Sequence, residues 1–196
     1  MKARRSPAII LKRVTAAFWA CCIVFCIFLY FSQPDNFTPS HIADLLLRYK
    51  GIALLLYAAV STIRGFTLLP STPLVIAGTL IFPRDPYLVL AVSIGGILLS
   101  STMIYFFSDW LGFRDFFDTK RAQLTERIRT QLEKPAGVFF VFFWSFFPLV
   151  PTDAVCYVAG TSRMAFRKFI LAVFLGEMIL CSFYIFFGGF LFRSLY

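Results

Sequence analysis

The hydrophobic positions of this chain fall into long blocks separated by short polar ones. Val14–Phe31 is an unbroken apolar run of about eighteen residues, enough for a helix that just spans a bilayer. Tyr87–Phe107 is a second such run and Phe169–Phe192 a third. Between them lie shorter apolar stretches cut by proline. Ala58–Leu69 runs into Pro70-Ser-Thr-Pro73, and Leu74–Phe82 leads away. Gly137–Phe147 runs into Pro148-Leu-Val-Pro151, and a second arm continues to Gly160. Proline lacks the N–H and clashes with the preceding turn, so each stretch predicts an arm, a break and a second arm. Thr72 is placed to cap the arm that Pro73 opens, and Thr152 stands at the second break.

Two segments differ from these. His41–Tyr57 predicts one apolar helix with a charged start (Asp44, Arg48, Lys50), lying at the outer interface. Over Leu111–Lys134 the residues Phe113, Phe116, Phe117, Leu124, Ile128 and Leu132 recur at helical spacing, with Lys120, Arg121, Arg127 and Arg129 on other faces. That is a basic amphipathic helix of the interfacial kind, with a calmodulin-type partner helix as the weaker reading. Phe82–Pro86 is a turn, and Thr161–Lys168 a short basic one.

Composition sharpens this picture. Of 196 residues, 59% are hydrophobic, 19% aromatic and only 15% charged, against about a quarter charged in a soluble domain. The expected class is an all-α membrane protein. The net charge of +9 raises nucleic acid as a partner, but the cations flank apolar spans and form no solvated basic face. They read as topology signals and contacts to anionic lipid, and no nucleic-acid partner is expected. A homo-oligomer is compatible with the sequence. The five cysteines sit inside apolar runs, and His41 is the single histidine. HExxH, P-loop and GxSxG motifs are absent. No enzymatic activity, metal or cofactor is expected.

Residues 1–33 then form a basic cytoplasmic N-terminus and an anchor helix. A cleaved signal peptide is the alternative, but the apolar run is long for one and no small-x-small site follows it. Residues 34–192 form one transport domain, in which two stretches resemble each other. Pro70-Ser-Thr-Pro73 precedes Ala77-Gly78-Thr79, as Pro148-Leu-Val-Pro151 precedes Ala159-Gly160-Thr161. Gly95 in its span matches Gly176 in the last one, and the offsets are 78, 82 and 81 residues. Repeat 1 covers about 40–110 and repeat 2 about 112–192. Gly78, Gly95, Gly96, Gly160 and Gly176 are expected at close helix contacts, since small residues let helices approach in lipid.

If the N-terminus is inside and each hairpin returns to the side it came from, the cations partition strongly. Five in Lys2–Arg13, six in Arg114–Lys134, and Arg163, Arg167 and Lys168 make fourteen inside; Arg48, Lys50, Arg84 and Arg193 make four outside. This obeys the positive-inside rule and inverts one repeat relative to the other. Inverted repeats whose discontinuous helices meet near the midplane are the architecture of alternating access. The expected fold is therefore an inverted repeat of two re-entrant helical hairpins and spanning helices, with an anchor helix and interfacial amphipathic helices.

At these residues the chain resembles the DedA or VTT-domain superfamily, also called SNARE-associated Golgi protein-like. The Pro-x-x-Pro followed by Ala-Gly in the first hairpin carries the resemblance. So do Phe147-Pro-Leu-Val-Pro151 followed by Tyr157-Val-Ala-Gly160, and Phe169 with Gly176 downstream. The resemblance covers about residues 58–190. It implies two hairpins facing each other across the membrane, and lipid transport: phospholipid scrambling or movement of polyprenyl-phosphate carriers, in some members with proton dependence. The chain departs from the pattern in three places. Ser145 stands where the family often has arginine, Ser108-Asp109 where it often has Gly-Arg, and Arg64 in a first hairpin that the DedA branch surrounds with carboxylates.

Three charged groups fall inside the apolar blocks. Asp153 is either a cap of its helix, a protonatable group or a contact to a headgroup amine. Glu177, inside the last span, is either a proton or substrate group or a glutamic acid bonded to a neighbouring carbonyl. Arg64 lies six residues before Pro70, roughly 9 Å from the break along an α-helix. It pairs with Asp153 or Glu177, binds a lipid phosphate, or snorkels to a headgroup. Asp109 reads as interfacial. The expected function is a lipid translocase or scramblase in a bacterial plasma membrane. A proton-coupled transporter of a small solute or ion is the alternative, and a non-transporting scaffold the third reading.

Overall fold

A computed structural model describes residues 7–49, 51–110, 130–132, 134–148 and 150–188. The amphipathic helix expected over Leu111–Lys134 falls almost wholly outside them, as do Lys2–Arg5 and Arg193. Proline starts four of the helices, at the position whose N–H needs no partner. These are α1 (Pro7–Ser32), α2 (Pro39–Leu47), α5 (Pro86–Trp110) and α6 (Pro135–Phe146). Between α2 and α5 lie α3 (Ala53–Ile63), which tightens into a 3₁₀ turn over Arg64–Thr67, and α4 (Thr72–Ile81). After α6 come α7 (Thr152–Thr161) and α8 (Phe166–Ser182), the latter continuing as a π turn over Phe183–Phe187. Among the described residues, Val14–Ser32, Pro86–Ser108 and Phe166–Phe187 are long and apolar enough to cross a membrane. The described residues are all-helical, and the chain is a multi-pass membrane protein.

The single helix expected over His41–Tyr57 is two. α2 ends at Leu47 and α3 starts at Ala53, with a turn between them closed by Ile52 N–H to the Tyr49 carbonyl at 2.9 Å. The reason is packing. α2 buries Ala43 and Leu46 against α4, while α3 buries Tyr57 and Ser61 against α5. One straight helix cannot serve both partners. Thr72 is likewise not the cap of α4. Ser71 is, through its backbone carbonyl, which accepts from Leu74 and Val75.

α5 and α8 form the axis of the bundle and run antiparallel. The Tyr105 ring stacks on Phe169 and meets Phe166 edge-on at one end, and Tyr87 meets Phe186 at 5.5 Å at the other. α3 climbs parallel to α5: Tyr57 bonds Ser93 at 2.7 Å, Ser61 lies against Gly96, and Gly65 lies against Ser100. α4 then descends, bringing Gly78 back to Tyr57 and Val89. α7 starts at the level of Ser100, where Asp153 lies beside Gly65, and runs the other way, to Tyr105 and Ser108 at Gly160. The two breaks thus meet halfway along α5, and α4 and α7 leave them toward opposite ends of it.

Glycine decides how closely these helices approach. A methyl group at Gly96 would stand 2.7 Å from Ser61 Cβ, and one at Gly176 would stand 2.7 Å from the Phe142 carbonyl oxygen. At Gly78 and Gly160 it would collide with the Tyr57 ring and with Ser108 Oγ. Gly95 departs from the expectation: it is exposed, with open space where a Cβ would stand. α1 packs loosely, through Ile23 and through Trp19 against Tyr157 at 4.7 Å. Between Val14 and Phe31 most of its surface is apolar and exposed, as suits lipid contact.

Candidate functional site

The site lies where the two breaks meet. Arg64 sits in the 3₁₀ turn after α3, only 7% exposed. Its Nη1 donates to Asp153 Oδ2 at 3.0 Å and to the Leu69 carbonyl at 3.1 Å. That second bond needs the chain to double back, which Leu68 achieves in the left-handed region with φ 58°. A leucine there costs about 1 kcal/mol, so the break is tighter than the proline spacing alone implied. Thr67 Oγ1 closes it by donating to the Arg64 carbonyl at 2.6 Å.

Asp153 is fully buried in the first turn of α7, where the helix dipole favours a carboxylate. It does not cap that helix, which records no side-chain cap. Its Oδ2 goes to Arg64 instead, across 89 residues of sequence. Of the two acids open to Arg64, the structure joins it to Asp153. Glu177, also fully buried, is held differently: Thr152 Oγ1 donates to its Oε1, and Cys181 Sγ lies 3.8 Å from its Oε2. Its bonded neighbours are a hydroxyl and a thiol, not a backbone carbonyl.

The breaks are tied to each other and to their own arms. Thr72 Oγ1 reaches toward the Pro148 carbonyl at 3.5 Å, and Trp144 Nε1 donates to the Pro151 carbonyl at 3.2 Å. Pro70 and Pro73 line a cavity of about 240 Å³ whose one charged wall is Arg64. Several buried polar atoms around the tips have no hydrogen-bond partner among the described residues: Arg64 Nη2, Asp153 Oδ1, Ser61 Oγ, Ser101 Oγ and Ser145 Oγ. No group of His, Cys, Asp and Glu suited to a metal ion occurs among the described residues. Asp109 belongs to the last turn of α5.

Several contributors escaped the sequence reading. Cys181 stands four residues after Glu177, and Cys156 four after Thr152, whose carbonyl it meets at 3.3 Å. By sequence both simply sit inside apolar runs, yet the one-turn spacing places them on the faces of the polar groups. Trp144 gave no sequence signal beyond aromaticity. Ser93, Ser100, Ser101 and Ser108 are buried on α5, and their recurrence every seven or eight residues marks one helical face.

Membrane-crossing helices, broken arms between them and an ion pair at the junction of the breaks define a polytopic membrane protein with an internal polar site. The VTT domain family matches residues 69–190, and the chain belongs to that family, which is linked to membrane transport. Arg64 lies ahead of the matched stretch. No curated protein and no solved structure matches the chain.

Proposed function

We propose that this protein is an integral membrane lipid translocase or scramblase. It moves phospholipid or polyprenyl-phosphate headgroups past two opposed re-entrant hairpins, with no covalent chemistry. The observation that carries the reading is the buried Arg64–Asp153 pair, with Glu177 beside it, at the meeting point of the two breaks. Charges are expensive in a bilayer and mark transport paths. Broken backbone at membrane depth survives only under protein cover or along a watered cavity. The arms fit this depth: α3 has 11 residues and α4 has 10. An arm of that length rises roughly 16 Å, about half the roughly 30 Å hydrocarbon core. The hairpins would thin the barrier from both sides, and the polar groups would replace water around a headgroup between the tips.

On this reading the N-terminus and the loop between α7 and α8 lie in the cytoplasm of a bacterial cell, an orientation that the positive-inside count supports, with the basic flanks against anionic lipid. The test is reconstitution of the pure protein in liposomes carrying a fluorescent phospholipid. Loss of inner-leaflet protection against an impermeant quencher supports translocation, and protection equal to that of empty vesicles would sink it. A proton-coupled transporter of a small solute or ion is the second reading. One observation favours it: Glu177 is bonded by a hydroxyl and a thiol and not by a cation, as suits an acid that takes up and releases a proton. An imposed pH gradient would drive that activity and leave passive scrambling unchanged.

A further inference from the structure

The Arg64–Asp153 pair is joined at one corner only. A guanidinium and a carboxylate can meet through two parallel hydrogen bonds; here Nη1 alone reaches Oδ2. Arg64 Nη2 and Asp153 Oδ1 are left over, both buried and neither bonded among the described residues. The first is an obligate donor and the second an acceptor. A ligand that satisfies both must offer an acceptor oxygen to the first and an N–H or O–H donor to the second.

Charge narrows the ligand further. The pair is neutral as a unit, so a zwitterion leaves the buried charge balanced, whereas an anionic headgroup adds an uncompensated charge in a low dielectric. We propose that the hairpin tips select a zwitterionic phospholipid headgroup with an N–H-bearing ammonium. Its phosphate takes Arg64 Nη2 and its ammonium takes Asp153 Oδ1. A trimethylated ammonium has no N–H to give, and leaves Oδ1 unbonded. A phosphate ester with hydroxyls but no cation can donate to Oδ1, but its negative charge stays uncompensated. The cavity beside Arg64, walled by Tyr30, Val60, Leu69, Pro70, Pro73 and Leu74, offers the adjoining methylenes an apolar seat. The inference rests on the lipid-translocation reading, and chooses among the headgroups that reading leaves open.

Two arms test it separately. In the first, the full chain in neutral detergent is titrated with short-chain phosphatidylethanolamine, phosphatidylcholine and phosphatidylglycerol, and binding is read from the melting temperature. The ethanolamine lipid should bind at least about tenfold tighter than the other two, the discrimination expected where a site built for an N–H meets a ligand lacking it. Equal affinities, or preference for the glycerol lipid, overturn the inference, and tail-less O-phosphoethanolamine binding as tightly as the lipid overturns a lipid ligand. Asp153→Asn should bring the ethanolamine lipid down to the choline lipid. If that variant does not fold, the comparison of headgroups on the unaltered protein still decides. In the second arm, tail-labelled versions of the three lipids are followed across liposomes. Selective binding without exchange keeps the headgroup site and removes the translocase reading. Exchange at equal rates with equal binding keeps the translocase and overturns the headgroup selection.

Discussion

A guanidinium buried among apolar helices is tolerable only with a counter-charge, and Arg64 has one in Asp153 at 3.0 Å. Removing either member strands the other, at a cost of about 3–5 kcal/mol. Asp153→Asn and Arg64→Gln are each expected to destabilise the protein by that order. The double variant should recover most of the loss, because no charge then remains unpaired. Denaturant titration in detergent reads this, and additive single effects would contradict it. Thr152 makes a smaller but specific contribution. Thr152→Val keeps the shape and strands Glu177 Oε1, which should cost about 1–3 kcal/mol. Thr152→Ser restores the hydroxyl and should recover the stability, which separates the hydrogen bond from the packing. The VTT resemblance implied arginine in the second hairpin and carboxylates around the first. This chain has Ser145 in the one and Arg64 in the other, and its ion pair runs from the first hairpin to the second.

At the scale of an element, the helix ends and helix contacts are set by a few residues. α7 ends in a turn where Arg163 N–H bonds the Gly160 carbonyl at 3.2 Å and Met164 N–H bonds the Ala159 carbonyl at 3.1 Å. This is the paired pattern that usually carries glycine at the left-handed position, and Arg163 occupies it with φ 54°. Arg163→Gly should stabilise the protein by about 1 kcal/mol, seen as a raised melting temperature. Adjacent glycines on α5 provide a sharper contrast. Gly96→Ala forces a methyl into Ser61 on α3 and should cost about 1–3 kcal/mol, while Gly95→Ala meets open space and gains helix propensity. Equal effects from the two would mean that α3 and α5 are not packed through Gly96.

At the scale of the whole molecule, α4 and α7 leave the two breaks toward opposite ends of α5. In a background without native cysteines, Arg84→Cys in the turn between α4 and α5 should react with an impermeant thiol reagent on intact cells. Arg167→Cys at the start of α8 should react only after permeabilisation. Labelling of both from one side would overturn the opposed arrangement. Both positions are exposed, so access is set by the bilayer and not by burial.

What the sequence determined by itself is what composition and proline dictate. Blocks of apolar residues long enough to span must become helices, because the bilayer offers their backbone no other partners. Paired prolines must break the shorter blocks, and the repeated order of break, Ala-Gly and span was legible as a repeat. The tertiary structure alone decided where α2 hands over to α3, which of Gly95 and Gly96 is a contact, and which acid Arg64 meets. The physical reason is common to all three. In a membrane protein, the face toward lipid and the face toward the next helix are both apolar, so periodicity does not separate them. A partner 89 residues away is chosen only when packing brings two breaks to the same level along one helix.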